Sequence, residues 1–138
     1  MDDKVALLER VPLFANVDHD TLARIASLTD EEEVAAGTVL AHEGRYEGYF
    51  YIVVAGTVEI SRGGVVVDTG GNGSFVGEIS MLDAGPRTAT ATTLTPCLLL
   101  KLSNRGFDEL LDADPSVREA LEAEMARRLD RIDAEADA

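Results

Sequence analysis

A mainly β fold closed by helices at both ends follows from three features of these 138 residues. From residue 33 to about residue 102, short runs rich in Val, Ile, Thr and Tyr are punctuated by glycine, the pattern of antiparallel strands joined by tight turns. Over residues 5–28 and again over 104–134, apolar residues recur instead at three- and four-residue spacing, the period of amphipathic helices. The chain is also of ordinary length for one domain, long enough for a hydrophobic core but short for two. The arrangement predicted is an antiparallel sandwich or jelly-roll barrel, with N-terminal helices and two C-terminal helices, as a single domain over residues 1–138.

In the first zone, Leu7, Leu8 and Val11 share a helical face, Pro12 interrupts it, and Asp18 is placed to cap a second run to about Leu28 with Leu22, Ile25 and Ala26 on one side. Strands are expected at residues 39–40, 49–54, 57–61, 65–69, 88–94 and 98–102. Glycines stand at the boundaries, where turns call for backbone that other residues resist. In the third zone Ser103 is placed to cap a helix through Leu111, and Pro115 fits a first helical turn. Val117, Leu121, Met125, Leu129 and Ile132 then form one stripe, expected to pack on the chain's own barrel, with a homodimer seam as the alternative. Arg127, Arg128 and Arg131 have Glu124 and Glu135 at helical spacing, which predicts a solvated face of ion pairs.

Twenty-six acidic residues against twelve basic ones set a formal charge of -14, a field that repels nucleic acid and anionic membranes. No apolar run approaches the roughly 20 residues of a bilayer-spanning helix. The first residues, Met1-Asp2-Asp3, lack the basic start and apolar stretch of a signal peptide, and Cys97 is the only cysteine; a cytoplasmic location is expected. Cys97, ahead of Leu98-Leu99-Leu100, reads as a small buried hydrophobe. A metal-dependent enzyme is not supported: the only histidines, His19 and His42, fall in a helix and at a turn. Neither a metal nor a cofactor is expected, and no serine elbow, Cys-His arrangement or Walker loop is visible.

Residues 75–90, F-V-G-E-I-S-M-L-D-A-G-P-R-T-A-T, concentrate what a cyclic phosphodiester needs. Gly77 and the residues after it, through Glu78, Ile79 and Ser80, can bring backbone N–H groups close to an anion. Arg87 supplies a planar, permanently charged guanidinium able to meet two phosphate oxygens. Glu78 is then an acceptor for a sugar hydroxyl, so the two read together as ribose plus phosphate.

This segment resembles the phosphate-binding cassette of the cyclic-nucleotide-binding domain family, which includes the sensor domains of the catabolite activator protein and of cyclic-AMP-dependent kinase regulatory subunits. The family pattern is roughly F-G-E, a small or apolar run, then P-R-(A/S/T)-A; Phe75, Gly77, Glu78, Pro86, Arg87, Thr88 and Ala89 match it. Val76 is an extra residue after Phe75, and Ser80 stands where a small apolar residue is common. The resemblance extends from about Leu7 to about Ile132. It implies a jelly-roll, or double-stranded β-helix, barrel, with phosphate held by Arg87 and the backbone from Glu78 to Ser80, and the ribose 2'-hydroxyl by Glu78. It also implies a base lidded by the last helix, with Arg128 as the candidate residue. Thr88 resembles members that hold guanine through its hydroxyl but occurs in cyclic-AMP binders too, and cyclic AMP is expected ahead of cyclic GMP. The implied output is mechanical, through the C-terminal helices onto an effector in trans or a further domain. The alternative is a ligand-free protein-interaction module on the same fold.

Overall fold

The computed structural model of the protein describes residues 3–45, 49–77 and 89–137, with the backbone alone for residues 3 and 128–137. Helix α1 (Asp3–Glu9), a 3-10 turn (Pro12–Phe14) and helix α2 (His19–Ala26) come first. Leu8, Val11 and Phe14 are buried, and Pro12, which has no N–H to donate, opens the 3-10 turn. Asp18 caps α2 as its position predicts, accepting the Thr21 N–H at 2.8 Å. That bond holds the Asp18 carboxyl below its ordinary value. Leu22, Ile25 and Ala26 are buried, but the helix stops at Ala26, short of Leu28, because the next amides tighten onto carbonyls three residues back, Leu28 to Ile25 and Thr29 to Ala26.

Among the described residues, eight strands follow: β1 (Asp30–Val34), β2 (Val39–Ala41), β3 (Tyr49–Ala55), β4 (Val58–Arg62), β5 (Val65–Gly70), β6 (Phe75–Val76), β7 (Thr90–Thr93) and β8 (Cys97–Ser103). They form two antiparallel sheets in the orders β1-β8-β3-β6 and β2-β7-β4-β5. Apart from the β4–β5 hairpin, successive strands alternate between the sheets, which is the jelly-roll connectivity. The fold is mainly β with flanking helices.

Two cores result. Between the sheets lie Leu40, Val53, Val58, Ile60, Val67 and Leu99; on the other face of the first sheet, Phe50, Ile52, Leu100 and Leu102 meet Leu8, Ile25, Phe107 and Leu110 from the helices. Strand β3 serves both cores, which is why YFYIVVA reads as an unbroken apolar run rather than an alternation. Strand β1 lay outside the expected set. It is an acidic strand, DEEEV, that pairs with β8 and is an edge strand among the described residues, and charge along an edge discourages pairing with another chain.

Helix α3 (Asn104–Ala113) is capped by Ser103, whose hydroxyl accepts the Gly106 N–H at 3.2 Å. Helix α4 (Pro115–Asp137) starts on Pro115, and the Asp114 carboxylate accepts from the Ser116 N–H at 2.8 Å and its hydroxyl at 2.6 Å. Val117 and Leu121 are fully buried in the helix-side core, and Met125 packs on the core between the sheets. The predicted stripe therefore packs on its own chain at these positions, while the side chains of Leu129 and Ile132 lie outside the described residues. Cys97 is buried, its thiol donating to the Thr95 carbonyl at 3.3 Å, as suits a structural cysteine.

Candidate functional site

The segment 75–90 enters from one sheet and leaves into the other. Strand β6 pairs with β3, Phe75 opposite Ile52 and Val76 opposite Tyr51. Its approach is pinned: the Val53 N–H donates to the Ser74 carbonyl at 2.8 Å and the Gly73 N–H to the Val53 carbonyl at 2.6 Å. The Asn72 side-chain oxygen accepts the Gly56 N–H at 2.8 Å. Gly77 follows at φ +105°, a backbone conformation that residues with a Cβ rarely hold. On the way out, Ala89 packs on the inter-sheet core, β7 is held between β2 and β4, and the Thr90 hydroxyl accepts the Glu43 N–H at 3.1 Å. The segment is thus flanked on both sides by paired strands.

Gly77 and Ala89 are the predicted binding residues that the structure places. Glu78, Ile79, Ser80, Pro86, Arg87 and Thr88 lie outside the described residues. So does the side chain of Arg128, whose backbone is in α4.

An aromatic bridge links the entry to this segment with the C-terminal helices. The Phe50 ring lies 5.9 Å from that of Phe75 and 4.8 Å from that of Phe107 in α3, both tilted, within the range where aromatic pairs attract.

The second helix contact was not legible in the sequence. Arg127 of α4 donates to the buried Asp68 of β5 at 2.8 Å and, through its Nε, to the Glu124 carboxylate oxygens at 3.0 and 3.1 Å; its terminal nitrogen also pairs with Glu124. Hydrogen bonds to Glu124 first and Asp68 second hold the guanidinium pKa above its ordinary value, so it stays charged. The expected solvated face of ion pairs is corrected here: Arg127 pairs three residues back with Glu124 and also reaches across to the barrel. Asp68 lies opposite Ile60, and Ile60 opposite Ala91, so one row crosses β5, β4 and β7. At about 4.8 Å per strand, Asp68 is roughly 10 Å across the sheet from Ala91, the residue two after Ala89.

His19 opens α2 on the surface, and the Glu43 carboxylate accepts the Gly63 N–H at 3.0 Å. Among the described residues, no group of three or more His, Cys, Asp or Glu side chains is placed to hold a metal ion.

The sequence profile of the cyclic nucleotide-binding domain matches residues 31–114, a stretch that spans both sheets, the cassette segment and α3. The chain belongs to the cyclic nucleotide-binding domain family. The domain is 33% identical over 99 residues to a cAMP-dependent protein kinase regulatory subunit of Yarrowia lipolytica, covering 72% of this chain and 26% of that one. The domain thus spans about a quarter of that relative's length. The cAMP-bound kinase regulatory protein PfPKA-R (141-441) superposes with a TM-score of 0.87 at 21% identity, over 96% of this chain and 46% of that one. The catabolite activator protein of Thermus thermophilus superposes with a TM-score of 0.74 at 28% identity, over 91% and 62% respectively. Among the described residues, no helix of the domain is long and apolar enough to cross a membrane.

Proposed function

We propose that this chain, as one domain over residues 1–138, is a cyclic-nucleotide sensor that binds cyclic AMP, with cyclic GMP as second choice. The observation that carries the reading is the Gly77, Glu78, Pro86, Arg87, Thr88, Ala89 pattern inside the stretch matched by the family. It is supported by relatives named for cyclic AMP. In this reading the cyclic phosphate meets Arg87 and the backbone N–H groups of Glu78, Ile79 and Ser80, while Glu78 accepts the ribose 2'-hydroxyl. Pro86 and Ala89 hold Arg87 and Thr88 in place, Thr88 adds a hydroxyl beside the base, and Arg128 of α4 lids it. The protein works in the cytoplasm by binding rather than by catalysis, without metal or cofactor. It passes occupancy through α3 and α4 to a protein effector.

Calorimetry with cyclic AMP, cyclic GMP and 5'-AMP tests the reading: heat from the cyclic compounds alone is expected. Arg87→Leu should weaken binding by roughly 2–5 kcal/mol, tens-fold or more, because a desolvated phosphate loses its charged partner. Its circular dichroism should match wild type. Binding within threefold of wild type would remove Arg87 from the phosphate. Silence of the wild-type chain with all three compounds would leave a ligand-free interaction module.

A further inference from the structure

Strand β4 brings a second arginine to the place where the cassette segment leaves. Val58 and Ile60 lie in the core between the sheets, opposite Thr93 and Ala91 of β7, and that ladder keeps its register to Ser61 opposite Thr90. The register shift against β5 is taken up on β5, where Ile60 faces Asp68 and Ser61 faces Val66. Side chains alternate along a strand, so Arg62, two residues past Ile60, belongs to the same inward face. One further step of the β4–β7 register sets it across from Ala89, which packs on that core.

The neighbours of Arg62 hold it there. It ends β4 before a two-residue turn, Gly63 at φ +58° and Gly64 at φ +82°, which returns the chain to Val65 opposite it. The Glu43 carboxylate accepts the Gly63 N–H at 3.0 Å, and the Glu43 N–H donates to the Thr90 hydroxyl at 3.1 Å. One residue thus ties the turn to the cassette exit. Arg62 itself is exposed, and among the described residues no carboxylate lies within ion-pair distance of it, on a chain with 26 acidic residues.

We propose that Arg62 is a second phosphate-binding residue, its guanidinium pairing with an exocyclic oxygen of the cyclic phosphate that Arg87 holds. The proposal rests on the sensor reading. Facing strand residues have Cα atoms about 5 Å apart, and the two residues of chain from Arg87 to Ala89 span at most about 7 Å, so two long side chains share one phosphate within reach. Two guanidiniums this close repel each other, and an anion held between them removes the repulsion. Arg62 stands at the rim, so it acts by charge and speeds the approach of an anion to an acidic protein.

Cyclic AMP binding to the full chain, followed by calorimetry and stopped flow, tests this with Arg87→Leu measured in parallel. Arg62→Gln should weaken binding about tenfold at about 0.05 M NaCl, mainly through slower association, and the gap from wild type should narrow to under about threefold at about 1 M. Arg62→Lys keeps the charge and should stay within about threefold of wild type. Thermal melting of both variants should match wild type, because the residue is exposed. Arg62→Gln within twofold of wild type, on a chain whose Arg87→Leu variant loses binding, would overturn the role of Arg62 and leave the sensor reading standing. A loss as large in Arg62→Lys and unchanged by salt would also overturn it. Silence of the wild-type chain with cyclic AMP would overturn both readings together.

Discussion

Replacing Phe50 by leucine tests whether the aromatic bridge between the start of the cassette segment and α3 is energetic as well as geometric. Phe50 is fully buried and touches Phe75 on one side and Phe107 on the other. Leucine keeps most of the apolar surface, so the swap itself should cost under about 1.5 kcal/mol. The two ring contacts, about 0.5–1.5 kcal/mol each, are lost as well, for a total of roughly 1–4.5 kcal/mol. At about 4 °C per kcal/mol for a chain of this size, the melting temperature should fall by roughly 4–18 °C. Urea unfolding followed by far-ultraviolet circular dichroism should show a lower midpoint at unchanged slope. The decisive measurement is a pair of double-mutant cycles, Phe50→Leu with Phe107→Leu and Phe50→Leu with Phe75→Leu, each expected to couple by about 0.5–1.5 kcal/mol. Additivity within about 0.3 kcal/mol in both cycles would refute the bridge and reduce these rings to independent core filling.

Gly56→Ala should cost more than about 3 kcal/mol in the same urea assay, because Gly56 sits at φ +118° and a Cβ there would lie 2.5 Å from the Cys97 sulfur and 2.9 Å from the Pro96 carbonyl oxygen. A loss below about 1 kcal/mol would show that the strand end shifts freely. The chain should not retard duplex DNA in low-salt gel shifts, with or without cyclic AMP, since twelve basic residues among twenty-six acidic ones offer phosphates a repulsive field. Retardation that grows with cyclic AMP and fades when Arg127, Arg128 and Arg131 are neutralised would contradict that.

What was legible in the sequence is what is decided locally. Asp18 and Ser103 announce their helices because a cap needs only the next three residues, and the stripe through Val117, Leu121 and Met125 needs only the helical period. Strand β1 was missed for the converse reason: four acidic residues have poor strand propensity, and only their pairing with β8, some seventy positions on, makes them a strand. The cassette was found through its residue pattern, Gly77 through Ala89, rather than through any local propensity.

Asp68 shows where strand patterning itself misleads. Strict alternation would place Asp68 on the opposite face from Val67, pointing outward if Val67 points in. Both are buried. The β4–β5 ladder shifts register at Val67: Ile60 faces Asp68, while the next residue, Ser61, faces Val66. One extra residue on β5 turns every later side chain by a step, as a bulge does, and brings an acid inward that a flat strand would leave in water. Arg127, fifty-nine positions away, reads on its own helix as one more surface ion pair with Glu124. An inward acid on a bulged edge strand and a helix crossing that edge each hide the other's purpose until both are in place.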